Sequence, residues 1–322
     1  MKKGKRPFWD GFAPGLHLRR VGSRPPGFSA FVLRGGIGRT AVINGATHGD
    51  EYEGPTVLRE LVASINPRTL RGTLVIVPVL HESAFFAGSS CHPADGSNLA
   101  RAFPGNPRGN QAERVASLFL GTVLRHADFY IDLHSGGVAY DFLPWSGYLI
   151  TGRPEIDGIQ RDMAACFDDY WCCGSPRLEG RTLSSAADEG IPAIYTESRG
   201  GGGVHPDDRK ALHRGLRNFL IRFGFLKGPA PRLRKVPIRL AANSDETQIQ
   251  HPHPAPSDGL FIPAVSAGEH VRKNALLGVV CPMNEESDIS VRAKHRGSVV
   301  AIRRRRSVRA RDNLATVVLL AP

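Results

Sequence analysis

His48 and Glu51, three residues apart in Asn44-Gly45-Ala46-Thr47-His48-Gly49-Asp50-Glu51, offer an imidazole and a carboxylate just past the apolar run Thr40-Ala41-Val42-Ile43. A second apolar run, Phe129-Tyr130-Ile131, leads into Asp132-Leu133-His134-Ser135-Gly136-Gly137. The first pair alone has a common spacing and fits ordinary polar residues at a strand end. With His134 at a second strand end, the set becomes two imidazoles and one carboxylate. A catalytic zinc wants that set: three protein ligands, with the fourth position left to water. Water held on such a cation has a pKa of about 7 and is a usable nucleophile near neutral pH. The expected chemistry is hydrolysis, with one zinc ion per subunit. The same donors also suit other borderline divalent ions. Asp132 lies two residues before His134, on the same strand face. It either hydrogen-bonds a ligand imidazole and fixes its tautomer or is a plain strand-end acid, and Asp50 is equally open.

Strands must deliver these side chains. Apolar runs place them at Phe31–Arg34, Thr40–Asn44, Leu74–Val79, Phe129–Asp132, Tyr148–Thr151 and Ala193–Thr196. Helical patterns span Tyr52–Ile65, Gln111–Arg125, Pro154–Phe167 and Asp207–Phe223. In the first of these, Val57, Leu58, Leu61, Val62 and Ile65 recur at helical spacing. The alternation predicts an α/β layer protein whose loops gather along one sheet edge, where ligands bind in such folds.

The composition changes after Phe225. Lys227-Gly228-Pro229-Ala230-Pro231-Arg232 reads as a linker, dividing the chain into a domain over residues 1–228 and another over 229–322. Beyond it, Gly259–Val280 and Ile289–Val318 predict a small β-barrel-like or sandwich-like domain. Its pattern resembles a biotinyl/lipoyl-type half-barrel. Lys294 lacks the Met-Lys or Asp-Lys-Ala context of a modified lysine, so this part reads as an appendage that covers the mouth of the site.

The net charge is +12, densest at Arg303-Arg304-Arg305-Arg306. Nucleic-acid binding is one reading of such a run, but the aromatics that would stack bases are not interleaved with it. A solvated strand edge, where charge discourages edge-to-edge pairing, is the preferred reading, and no nucleic-acid partner is expected. No apolar stretch is long enough to span a bilayer. The basic N-terminus lacks the apolar core of a secretory signal. Five cysteines, two of them adjacent, predict reduced thiols. A cytoplasmic location is expected.

The strand, Gly-x-x-His-Gly-Asp-Glu and helix order, with the later Asp-Leu-His, resembles the succinylglutamate desuccinylase/aspartoacylase family of carboxypeptidase A-like zinc hydrolases. The likeness runs through most of the chain, anchored at Asn44–Glu51, Asn98–Gly105, Asp132–Gly137 and Thr196–Gly203. It implies a mixed-sheet α/β/α domain followed by a small C-terminal β domain, with His48, Glu51 and His134 holding zinc. It makes Glu197 the general base. On its own chemistry Glu197 is an acid at a strand end before Gly200-Gly201-Gly202-Gly203, a run that lets backbone and ligand approach closely. A solvated loop carboxylate is the alternative.

The resemblance also implies that Arg101 grips a substrate carboxylate, for which its planar fork is suited. Ala100 stands where the family has asparagine, and Asn98, in the place of a customary aspartate, is the candidate substitute. Arg101 as a surface ion-pair partner is the alternative. A second departure is the stretch Gly88–Pro93, without the arginine that family members use to polarise the scissile carbonyl. Either His92 or the cation alone takes that role, or His92 is an ordinary loop residue. Tyr140, Trp145 and Arg199 lie near the predicted site loops, and Arg199 is left out of the catalytic set.

The implied reaction is hydrolysis of the amide bond of a small, anionic N-acyl amino acid or related N-acyl amine. The nearest branch is that of bacterial N-acyl deacylases such as N-acetyl-diaminobutyrate deacetylases. The alternatives are a zinc metallocarboxypeptidase acting on peptides and a catalytically impaired binding homologue. Assembly into a homo-oligomer is left open.

Overall fold

The chain, seen in a computed structural model, is described over residues 6–22, 26–231, 237–239, 252–284 and 286–318. Ten strands come first: β1 Gly15–Gly22, β2 Gly27–Arg34, β3 Thr40–Gly45, β4 Thr73–Val77, β5 Phe129–Ser135, β6 Tyr140–Phe142, β7 Trp145–Leu149, β8 Trp171–Ser175, β9 Ala193–Ser198 and β10 Pro237–Arg239. Six helices accompany them: α1 Glu53–Ser64, α2 Glu82–Ala87, α3 Gln111–Thr122, α4 Pro154–Ala165, α5 Thr182–Asp188 and α6 Pro206–Arg222. All these strands except β6 form one mixed sheet in the order β1-β2-β4-β3-β5-β9-β7-β8-β10. Its centre, β4-β3-β5-β9, is parallel.

Two-residue periodicity sends alternate side chains of each central strand to opposite faces. Ala41, Ile43, Ile131 and Leu133 join Leu58 and Leu61 of α1 and Leu212, Leu216 and Phe219 of α6 in one core. Val42, Val75 and Tyr130 join Val115, Ala116 and Phe119 of α3 in the other. Apolar residues on both faces therefore require helices on both sides, and a three-layer α/β/α body results.

The C-terminal strands form two further sheets. One contains Pro252–Pro254, Asn313–Val318, Gly297–Arg303 and His270–Val271; the other contains Ile289–Arg292, Leu276–Cys281, Gly259–Pro263 and Ser307–Val308. Phe261, Leu277, Val280, Val299, Leu314 and Val317 fill the space they enclose. β6 lies in the α/β part of the sequence but pairs with Gly297–Arg303. β10, past the linker, pairs in parallel with β8. Each part thus lends a strand to the other.

Several elements differ from expectation. β5 and β9 run to Ser135 and Ser198, so His134 and Glu197 are strand residues rather than loop residues. β4 stops at Val77, because Pro78 has no N–H to continue the ladder. Within the first 228 residues β1, β6, β8, α2 and α5 are additional. β1 is an edge strand with Leu16 and Leu18 exposed, so it carries no burial pattern. α5 is built from the small residues of Thr182-Leu183-Ser184-Ser185-Ala186-Ala187, with no apolar periodicity. Arg232 of the linker lies outside the described residues.

Candidate active site

The three central strands put their carboxyl ends side by side. In the parallel ladders Asn44 pairs with Asp132 and Asp132 with Tyr195, and two residues on His134 pairs directly with Glu197. Asp132, His134 and Glu197 therefore project from the same face of the sheet. His48 arrives from the turn after β3, where Ala46 takes the left-handed conformation at φ 47°. A non-glycine residue in this region is uncommon and costs energy that the surrounding structure must offset. Gly49 follows because a side chain there would collide with the backbone of α2: a Cβ would sit 2.1 Å from the carbonyl carbon of Ala84.

Glu51 lies between the two imidazoles. His48 Nδ1 is 2.7 Å from its Oε1, and His134 Nδ1 is 3.0 Å from its Oε2. Chosen donor atoms of the three residues all fall within 4.8 Å of one another, close enough for one divalent ion to meet them after small side-chain rotations. The electrostatics fit a cation. Burial raises the Glu51 pKa, but the charges of His48 and His134 outweigh it and the net shift is downward. The carboxyl is therefore held ionised, as a ligand must be. Burial opposes protonation of His134, yet Asp132 and Glu51 more than reverse it, and its pKa lies well above the usual imidazole value. The carboxylate charge of Asp132 and Glu51 gathered around a buried imidazole is what a bound cation would neutralise.

The outer atoms of both rings are also held. His134 Nε2 lies 3.2 Å from Asp132 Oδ2, and His48 Nε2 lies 3.2 Å from Asn98 Oδ1. Asp132 is fixed in turn, accepting from Asn44 Nδ2 at 2.8 Å, Thr47 Oγ1 at 2.9 Å and Thr182 Oγ1 at 3.1 Å. Glu197 differs in kind. Its Oε2 is sealed from solvent and has no hydrogen-bond partner, and the residue lines a cavity of about 590 Å³ together with His48, Glu51 and His134. Burial is the main cause of a pKa pushed well above the usual carboxylate value, and the charges of Glu51 and Asp132 add to it against His134 and Arg101.

The catalytic-domain profile described as "Succinylglutamate desuccinylase/Aspartoacylase catalytic domain" matches residues 37–222. The chain is 30% identical over 290 residues to the N-alpha-acetyl-L-2,4-diaminobutyric acid deacetylase of Halomonas elongata, covering 89% of this chain and 84% of that one. It belongs to the succinylglutamate desuccinylase/aspartoacylase family. Solved structures agree: a succinylglutamate desuccinylase from a Silicibacter species superposes with a TM-score of 0.85 at 28% identity, each chain being 96% covered. The product-bound ectoine utilization protein EutE of Ruegeria pomeroyi gives 0.84 at 30% identity, again with 96% of each chain covered.

Seen as a member of this family, the chain brings the expected residues to one cavity and also alters some expectations. Arg101 and Asn98 both line it. Asn98 caps the short turn Leu99–Arg101, its Oδ1 accepting from Ala100 N at 2.9 Å as well as facing His48. With that oxygen already in two contacts, the amide nitrogen is the freer group of Asn98. Arg101 is exposed at the cavity wall, with Nη1 donating to Ala100 O at 3.1 Å. His92 is not among the residues lining the cavity: it is buried, stacks on His81 at 5.9 Å and lies 3.2 Å from Asp95.

Arg181, at the N-terminal end of α5, lines the cavity and has no counterpart in the sequence reading. A lone arginine before an unrecognised helix carries no pattern signal. The glycine run after Glu197 serves the backbone rather than a ligand. Gly200, at φ +86°, packs on Gly136 so closely that a Cβ would come within 2.5 Å, and its N–H donates to Glu53 Oε1 at 3.0 Å. Trp145 and Tyr140 line the cavity, whereas Arg199 is tied by its backbone N–H to Asp208 at 3.1 Å.

Proposed function

We propose that this protein hydrolyses the amide bond of a small N-acyl amino acid or N-acyl diamine, using a divalent cation, zinc by its donor set, held by His48, Glu51 and His134. The observation that carries the reading is the convergence of those three donors beside an unpartnered glutamate carboxyl in one cavity. When bound, the cation would supply Lewis acidity, polarising the scissile carbonyl and making water acidic enough to attack near neutral pH.

The chain's own residues do the rest. Glu197, of raised basicity and paired across the ladder with His134, removes the proton from the attacking water and returns it to the departing nitrogen. Arg101 orients the substrate carboxylate, and Arg181 adds a second cationic group to the wall. Asp132 and Asn98 keep the imidazoles in one tautomer and orientation. Tyr140, Phe142, Trp145, Leu178 and Leu183 supply apolar walls. A cavity of about 590 Å³ is of the size that takes small ligands, which favours this reading over peptide cleavage. The substrate of the Halomonas relative, an N-acetylated diaminobutyric acid, offers a carboxylate for Arg101 and a short acyl group.

The test is turnover of N-acetyl-2,4-diaminobutyrate, N-acetyl amino acids and a blocked dipeptide, with and without chelator. Release of acetate that chelator abolishes, with the dipeptide left intact, is the expected result. A protein that cleaves only the dipeptide is a peptidase.

A further inference from the structure

Arg303 is an arginine with only 9% of its surface exposed, in a run otherwise facing solvent. Burying a guanidinium is costly unless charge and hydrogen bonds compensate. Here Nη2 meets Asp312 Oδ2 at 2.9 Å, Nε donates to Arg305 O at 3.2 Å, and Nη1 reaches the Tyr140 hydroxyl at 3.5 Å. The guanidinium carbon also stands 5.8 Å from the centre of the Tyr140 ring, within cation–π range. The Tyr140 hydroxyl donates to Asn313 O at 3.2 Å. Tyr140 and Arg303 are direct partners in the ladder between β6 and Gly297–Arg303.

Tyr140, Phe142 and Asn313 all line the catalytic cavity. β6 is three residues long, too short to hold itself in place; its ladder partner belongs to the C-terminal sheet, and backbone bonds to Gly136, Arg199 and Gly201 tie its other side to the α/β body. This leaves the Tyr140 ring and hydroxyl to be placed by Arg303 and Asn313. We propose that Arg303 is a positioning residue: by fixing Tyr140 it sets one wall of the substrate cavity and so governs which N-acyl compounds bind well. The proposal rests on the deacylase reading given above. It also gives the arginine run a purpose. Arg303 points inward to the wall, while the exposed Arg304 only pairs with Asp141 at 3.2 Å.

Loss of the clamp removes contacts made alike in ground and transition states, which raises KM and spares kcat. For Arg303→Met, KM for N-acetyl-2,4-diaminobutyrate should rise roughly tenfold with kcat within about twofold, and preference should shift toward a bulkier N-hexanoyl analogue. Arg303→Lys should recover part of the loss. Tyr140→Phe should resemble Arg303→Met, and the double variant should be little worse than either single one, because the two residues act as one unit. Arg304→Gln should leave both constants unchanged.

An unchanged KM in soluble Arg303→Met, a fall in kcat alone, or additive effects in the double variant would overturn the proposal. Should Arg303→Met fail to fold, Tyr140→Phe with Arg303→Lys decides on the same criteria. A wild-type protein that turns over none of the N-acyl compounds refutes the deacylase reading instead. Calorimetry with N-acetyl-2,4-diaminobutyrate then decides this proposal: weaker binding to Arg303→Met sustains it, and equal or absent binding to both proteins overturns it.

Discussion

Asp132 Oδ2 stands 3.2 Å from His134 Nε2 while the other nitrogen of the same ring faces Glu51 Oε2 at 3.0 Å. One carboxylate thus orients the imidazole for the contact made by its other nitrogen. Asp132→Asn keeps the size of the side chain but removes its charge and half of its acceptor capacity. Metal affinity should fall roughly 10- to 100-fold, measured by competition against a chelator of known strength. Unaltered affinity would make Asp132 a structural acid only.

The Glu197 side chain has an oxygen with no hydrogen-bond partner, so its replacement should be felt in turnover rather than stability. Glu197→Gln should lower kcat by roughly 10²- to 10⁴-fold while the metal content stays that of the wild type. Steady-state kinetics alongside elemental analysis checks both halves. A variant with full activity would require another base.

Arg101 should be irreplaceable by lysine, because a point charge does not reproduce a planar two-pronged grip. Arg101→Lys and Arg101→Met should both raise KM for N-acetyl amino acids by about tenfold or more, and an amidated substrate lacking the carboxylate should be insensitive to either change. Equal losses on both substrates would assign Arg101 to the scaffold.

His81 gives a pH dependence of stability. It is 1% exposed, neither ring nitrogen has a partner, and burial, with His92 and His48 nearby, pushes its pKa down to about 4. The unfolded chain, with an imidazole pKa near 6.5, takes up a proton that the folded chain refuses. The contribution of His81 to stability should therefore fall as pH drops from about 6.5 toward 4, by up to about 3 kcal/mol, while His134 and Glu197, whose pKa values are raised, act in the opposite sense. Urea midpoints of the wild type and of His81→Phe at pH 7.5, 6 and 5 isolate it: the wild type should lose stability relative to the variant as the pH falls. An identical slope in the variant would place the effect elsewhere.

The sheet and its site were readable where a residue's chemistry coincided with a periodic element. Ala41-Val42-Ile43 and Tyr130-Ile131 announce buried strands, and each delivers a metal-type donor at its end. What was hidden depends on tertiary context. β6 exists through tertiary pairing, with Gly297–Arg303 on one side and Arg199 and Gly201 on the other, so nothing in Tyr140-Asp141-Phe142 alone predicts a strand. Asn98 was expected to grip substrate, and it lines the cavity, but its further contact with His48 follows from the turn at Leu99–Arg101, whose geometry no local spacing reveals. The arginine run was read as one solvated edge. Arg303 is the last residue of a buried strand and pairs with Tyr140 of β6, whereas Arg304, Arg305 and Arg306 lie past the strand's end and are exposed.

The central claim is that His48, Glu51 and His134 together clasp one divalent cation. Elemental analysis of purified wild-type protein beside His48→Ala, Glu51→Ala and His134→Ala, each shown to be folded by circular dichroism, tests it directly. The account predicts about one zinc per wild-type chain and near-complete loss in every variant. A folded His134→Ala protein that retains the wild-type metal content would contradict it.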